Sequence, residues 1–292
     1  MKTQEQVVNS ITALVQKQRF TAAIDMAAAY LRALPPPDAD CGSINYSFEN
    51  LEEFLFFIAR DKEQRKTTTV PEKNIAWLNT QASAISRMQA FALIELGRYD
   101  EAIAVLRQAL NTSNPIGISL RFELVEAYLK NNQLHLAENE LALLSTMVVS
   151  LPCIAKYYRR LGYCMIEQEK FLDARACLLY SLCFEKNEKA LGELAYLDNL
   201  LGNPWGYESR LGQIDSFTFA ASLRLYAESA KKHNLAFIPT KAQRICLLLL
   251  RDAYTKAGKT NEMDKWMDTI NLWSGFAEET EGAGEHISST LH

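Results

Sequence analysis

The sequence predicts an all-α protein, an α-solenoid of antiparallel helical hairpins, and three observations carry that prediction. Alanines at 102, 137 and 174 recur at intervals of 35 and 37 residues, the length of one stacked helix–turn–helix unit. The first of them sits in Gly97-Arg98-Tyr99-Asp100-Glu101-Ala102-Ile103, followed by Leu106 and Ala109-Leu110, which joins a turn to an apolar helical face. Finally, 48% of the 292 residues are hydrophobic while only 12 are glycine and 8 proline, a balance that suits buried helices and not a linker-rich or many-stranded chain.

Taken in order, Val7 to Leu34 reads as two helices with a turn near Lys17-Gln18-Arg19. Phe20, Ala23 and Ile24 follow that turn as Tyr99, Ala102 and Ile103 follow Gly97, marking a degenerate first repeat. Pro35-Pro36-Pro37 stops the second helix, because proline has no amide donor and clashes with the preceding turn. From Asn45 to about Lys66, Phe48, Leu51, Phe54, Leu55 and Ile58 recur at helical spacing and predict one helix, with Thr67 to Pro71 as the loop after it.

The clearest repeats occupy about Glu72 to Lys186. A helix through Ala84, Met88, Phe91, Ala92 and Ile94 turns at Gly97, and a second runs from Asp100 to Leu110. Leu120–Asn131 pairs with Leu134–Ser145, and Ile154–Gln168 with Leu172–Phe184, Asn131-Asn132 and Glu169-Lys170 standing at the turns. Small residues at Ala90, Ala102, Ala109, Ala137, Gly162 and Ala174 allow close helix approach, while Tyr99, Leu134 and Phe171 fill the space each turn leaves. A helix from Glu188 to Leu201 follows, and Asn203-Pro204-Trp205-Gly206 perturbs the array where its partner is due. Ser216 caps a helix over Phe217–His233, Thr240 starts another through Tyr254, and Asn261 begins a last one to about Trp273. Ala253-Tyr254, Gly258 and Trp266 echo the repeat, as a terminal cap covering the end of the array would. The acidic tail after Phe276 is expected to be disordered. The expected organisation is therefore an N-terminal helical section over 1–71, a solenoid with its cap over 72–275, perturbed near 202–216, and the tail over 276–292.

These residues are similar to the tetratricopeptide repeat family. Its pattern places a small residue early in the first helix, glycine and an aromatic at the turn, alanines early and late in the second helix, and proline soon after. Ala90, Gly97, Tyr99, Ala102, Ala109 and Pro115 carry those features here. The second copy keeps Ala137 but has Asn132 and Leu134 at the turn, and the third keeps Leu161-Gly162, Phe171 and Ala174 with Ser181 for the late alanine. The resemblance covers roughly 75–186, reaches 7–34 in degenerate form and fades beyond 187. It implies a right-handed superhelix whose concave face is lined by the first helix of each repeat. Carried over by register, the partner-binding candidates are Arg87, Phe91 and Ile94, then Phe122, Glu126 and Leu129, then Arg159, Tyr163 and Ile166.

Charge and motifs narrow the function. The net charge of -4 comes from Glu278, Glu279, Glu281 and Glu285 in a stretch without Lys or Arg, so no basic field invites nucleic acid. Tyr157-Tyr158-Arg159-Arg160 is the densest aromatic-basic run, but on a helix the four side chains point in different directions. The four histidines are scattered, and no metal, phosphate-loop, dinucleotide or nucleophile motif occurs, so no catalytic residue, cofactor or metal is expected. Cysteines 41, 153, 164, 177, 183 and 246 lack CxxC spacing and read as reduced, buried thiols. The start lacks a signal-peptide core, and the longest apolar run, Ile245 to Leu250, is too short to span a bilayer, which points to a cytoplasmic protein. The expected function is non-catalytic binding of another protein, or of an extended or helical peptide, by an adaptor, chaperone or assembly factor. The alternatives are a regulator that changes conformation on binding a peptide and a helical regulatory subunit of an enzyme.

Overall fold

The computed structural model describes residues 3–34, 43–65, 74–78, 80–202 and 216–274. Within them the chain is an all-α helical-repeat array. The first hairpin is α1 (Gln4–Gln16) and α2 (Phe20–Ala33). Three more follow: α4 (Ala82–Glu95) with α5 (Tyr99–Thr112), α6 (Ile118–Lys130) with α7 (Leu134–Ser145), and α8 (Leu151–Glu167) with α9 (Phe171–Ser181). Then come α10 (Glu188–Leu200), α11 (Ser216–Lys232), α12 (Lys241–Lys256) and α13 (Thr260–Trp273). The predicted loop over 67–71, the break at 203–206 and the tail from 276 lie outside the described residues.

One local motif builds the hairpins. The residue after the helix end adopts a left-handed conformation at Gln18, Gly97, Asn132, Glu169 and Gly258, with φ between 55° and 73°. The next amide then reaches back to a carbonyl five residues earlier: Arg98 N to Leu93 O at 2.9 Å, Gln133 N to Tyr128 O at 2.8 Å, Lys170 N to Met165 O at 2.9 Å. This closure satisfies carbonyls that the helix end leaves open and reverses the chain within a few residues. Four residues into each second helix, Ala23, Ala102, Ala137 and Ala174 are fully buried, where a larger side chain would hold the hairpin apart. Gly162 serves the same end from α8, since a Cβ there would stand 3.0 Å from Leu178 Cγ and 3.2 Å from the Ala174 carbonyl.

The hairpin α1–α2 stacks on α4, so the first repeat joins the array across the segment inserted between α2 and α4. That insertion departs from the expected single helix. Ser43–Tyr46 is a strand, β1, paired in parallel with Asn74–Trp77, β2, in register Tyr46 to Trp77. Helix α3 (Leu51–Arg65) connects them and starts six residues later than predicted. The start is fixed by the Asn50 side chain, which accepts from Glu53 N at 2.9 Å, while Glu53 Oε2 accepts from Glu49 N at 2.9 Å. Phe48 and Trp77 then pack edge to face, and the Trp77 indole donates to Phe48 O at 2.9 Å, which ties the start of α3 to β2.

Helix α3 packs on α12, from the opposite end of the chain, and Cys246 Sγ lies 3.7 Å from Glu52 O. Helix α12 starts at a Thr240–Gln243 capping box, and the Gln243 amide also donates to Ser145 O and Val148 O at the end of α7. The end of the array is closed by Tyr158, Tyr180, Phe184 and Phe237. Tyr180 donates to Trp273 O at 2.7 Å and Tyr158 to Leu235 O at 2.6 Å. Of the predicted thiols, Cys164, Cys177, Cys183 and Cys246 are buried and Cys153 half-buried, all free. Cys41 lies outside the described residues.

Candidate binding face

Counting back from the left-handed residues at 97, 132, 169 and 202 puts α4, α6, α8 and α10 in one frame. Six positions before each stand Phe91, Glu126, Tyr163 and Tyr196. Phe91 is 36% exposed, Tyr163 37% and Tyr196 53%. The Tyr163 and Tyr196 rings stay open on helices whose other large apolar side chains are mostly buried, while Phe91 is partly exposed with its ring edge to face against Phe20 of α2 at 6.4 Å between centroids. Two positions before each turn stand Glu95, Lys130, Glu167 and Leu200, all exposed. Nine before stand Met88, Glu123, Arg160 and Glu193, all half-buried. The three rows form one stripe that runs from repeat to repeat.

Charges link the helices along this stripe. Lys130 Nζ lies 3.6 Å from Glu126 and 3.9 Å from Glu95, Arg160 pairs with Glu126, and Lys156 Nζ lies 3.7 Å from Glu123. Lys156 also sits 4.7 Å above the Phe122 ring, and its ammonium is pushed below the usual lysine range, mainly by burial. The Tyr163 phenol is pushed up, first by burial and then by the Glu167 carboxylate, with Glu126 and Glu193 adding to it. The stripe is thus aromatic with a partly neutralised acidic surround.

The nine predicted residues divide by register. Phe91, Glu126 and Tyr163 lie on the stripe. The row at Arg87, Phe122 and Arg159 turns away from it: Phe122 is buried, Arg87 Nε pairs with Glu49 of the inserted segment at 3.0 Å, and Arg159 pairs with Glu185 at 2.8 Å. The row at Ile94, Leu129 and Ile166 also points inward, with Ile94 and Ile166 buried and Leu129 half-buried against the core. At 100° per residue those two rows sit about 40° and 60° to one side of the exposed ring row, whereas the open face extends to the other side. Ile94, Phe122 and Ile166 are therefore core side chains and not surface contacts. Tyr196, which sequence reasoning missed, has a visible signal: it precedes Gly202 by the interval that separates Phe91 from Gly97.

The other sequence features resolve into structural roles. Tyr157 and Tyr158 pack edge to face within the molecule, Arg159 and Arg160 go to different carboxylates, and the run makes no common patch. His233 Nδ1 meets Asp173 Oδ1 at 2.5 Å, joining α11 to α9. Burial pushes the Cys153, Cys164 and Cys183 thiols up to about 12.

The tetratricopeptide-repeat family model matches residues 90–146, from the middle of α4 past the end of α7. The chain carries a tetratricopeptide repeat. The matched span contains the turns at Gly97 and Asn132 and the buried Ala102 and Ala137, so the features that identify the tetratricopeptide repeat also set its packing. No curated protein matches the chain. A tetratricopeptide repeat within a helical-repeat fold marks a protein-interaction scaffold, and the family is typically non-catalytic. No helix among the described residues is long and apolar enough to cross a membrane.

Proposed function

We propose that the stripe across α4, α6, α8 and α10 is the concave face of the array and binds a partner polypeptide, as an adaptor, chaperone or assembly factor does. The observation that carries this reading is the row of partly exposed rings at Phe91, Tyr163 and Tyr196, set in one register on α4, α8 and α10 with Glu126 at the same position on α6. Full burial of an aromatic side chain is worth about 1.5–3 kcal/mol, and these rings, 36–53% exposed, leave about a third to a half of that for a partner to recover on docking. The Glu126–Arg160–Lys130 pairs hold the surround in place, so the face is preformed and less ordering entropy is lost on association. Glu126 supplies carboxylate acceptors for donors on the partner. Arg87 does not contribute, because Glu49 of the same chain already occupies it.

The test replaces Phe91, Tyr163 and Tyr196 together by Ala and compares quantitative pull-downs from the native host against the wild type and against a Leu225→Ala, Leu272→Ala control. Those leucines are also exposed but lie off the stripe. Selective loss of the same partners in the triple variant, with unchanged circular dichroism, is the expected result. Equal retention by both variants refutes the assignment of the face.

A further inference from the structure

A second site lies away from the stripe, in a cleft of about 330 Å³ between α3, α5, α6 and α7. Its polar lining is Arg60, Arg107, Asn111, Arg121 and Glu140, closed on the apolar side by Leu110, Pro115 and Leu124. The groups differ in what they have left to offer. Arg121 is engaged at all three nitrogens: its Nε donates to Ile116 O at 2.9 Å, one terminal nitrogen to Pro115 O at 3.0 Å, and the other to Glu140 at 2.8 Å. That bond also neutralises Glu140, the one carboxylate of the cleft. Arg107 uses only Nε, donated to the Tyr128 hydroxyl at 2.9 Å, with its guanidinium 5.5 Å from that ring, so its terminal fork is held in place and free to donate. Arg60 and the Asn111 amide have no hydrogen-bond or ion-pair partner among the described residues.

What remains after internal pairing is two guanidinium forks and an amide on residues that line one small cleft, with no uncompensated carboxylate among the described lining residues. We infer that this cleft binds a phosphate group, the dianion of a phosphate monoester or of free phosphate. Two forks present more N–H donors than the two oxygens of a carboxylate can use, and they suit the three terminal oxygens of a phosphoryl group. Arg121 takes no direct part: it fixes the wall and removes Glu140 as a competitor. Because Arg60 comes from α3 and the other groups from α5 to α7, the site is complete only while α3 is docked. This assignment does not depend on the stripe binding a polypeptide.

Isothermal titration calorimetry of the full chain with inorganic phosphate at pH 8 and constant ionic strength tests it. The expected result is saturable one-site binding, weakened at least tenfold by Arg60→Gln and by Arg107→Gln, and unchanged in Lys17→Gln, Lys259→Gln, which removes two exposed charges elsewhere. Arg60→Gln is decisive, since among the described residues it breaks no internal bond, and unchanged circular dichroism checks that the fold is kept. A short peptide with one phosphoserine, titrated beside its serine form, separates the sources: tighter binding than inorganic phosphate marks a phosphorylated polypeptide, and equal or weaker binding marks a free phosphate compound. Absence of saturable phosphate binding, or equal weakening in the lysine control, overturns the inference.

Discussion

The carboxyl of Glu53 gives the protein a stability that should fall as pH rises. It is fully buried, accepts from Glu49 N at 2.9 Å and Asn114 Nδ2 at 2.7 Å through Oε2, and has no partner on Oε1. Burial, reinforced by the neighbouring Glu49 carboxylate, raises it from 4.5 to about 7. Glu52 shifts in the same direction through burial, although it accepts from Val149 N and Ser150 N. The groups facing this cluster from packed elements are Arg87, Asn114, Cys153 and Cys246. With the folded value above the unfolded one, the folded chain binds the proton more tightly. The contribution is therefore complete below pH 4.5 and is lost as pH rises through 7. At about 1.4 kcal/mol per unit, Glu53 costs the folded state about 3 kcal/mol at pH 8.5 relative to pH 4.5, or roughly 6–10 °C in Tm for a chain of this size. Glu53→Gln keeps an acceptor for Glu49 N and Asn114 and cannot ionise. Urea unfolding of both proteins at pH 5, 7 and 8.5 should show the variant gaining on the wild type by about 2.5 kcal/mol across that range, any constant offset cancelling. A stability difference that stays flat with pH, or one that widens in favour of the wild type at pH 8.5, refutes the reasoning.

Two left-handed glycines should respond differently to alanine: a Cβ on Gly97 meets nothing within 4 Å, while on Gly117 it would stand 2.7 Å from Leu110 Cδ2 and 3.0 Å from the Asn114 carbonyl. Thermal melts should show Gly97→Ala costing about 1–2 kcal/mol from backbone conformation alone and Gly117→Ala clearly more, and equal losses would contradict the packing. In a Cys41→Ser protein at pH 8, the remaining five thiols should react with Ellman's reagent only after denaturation, because burial holds them as neutral thiols. Rapid stoichiometric labelling of the native protein would count against that burial.

The hairpins of the repeats were legible in the sequence because a buried alanine stands five positions after each of four turns, at Ala23, Ala102, Ala137 and Ala174, and because two of those turns carry Gly97 and Asn132, which tolerate positive φ. Glutamate at 169 and glutamine at 18 are not obvious turn residues, yet the spacing to Ala174 and Ala23 locates both. The strands were not legible. Four-residue segments such as Ser43–Tyr46 are too short for alternation to separate from helical spacing, and their pairing spans an intervening helix. On the candidate face the error was one of angle. A family register names the helix that faces a groove, but a slip of one row moves a side chain by about 40–60°, enough to turn Phe122 and Ile94 from contact into core. Tyr196 was passed over because the repeat pattern fades where the turn aromatic and second alanine are lost, although the features that aim the ring, helix α10 and Gly202, persist.

The inserted segment changes what kind of object this array is. In a simple solenoid each repeat touches only its neighbours, and stability adds along one dimension. Here three carboxylates at the start of α3 reach three successive repeats: Glu49 meets Ser83 and Arg87 of α4, Glu53 meets Asn114 before α6, and Glu52 meets the amides of Val149 and Ser150 before α8. Helix α12 packs against α3 and, through Gln243, holds the same α7–α8 junction. Contacts of 97, 98 and 194 residues in sequence separation therefore bind the N-terminal insertion, the middle repeats and the C-terminal helices into one unit. This clasp engages the first turns of α4 and the residues just before α6 and α8, and so ties the starts of the three first helices together without contacting Phe91 or Tyr163. The same contacts that cost the array its modularity thus hold the helices that carry Phe91, Glu126 and Tyr163 in place, as the proposed preformed binding face requires.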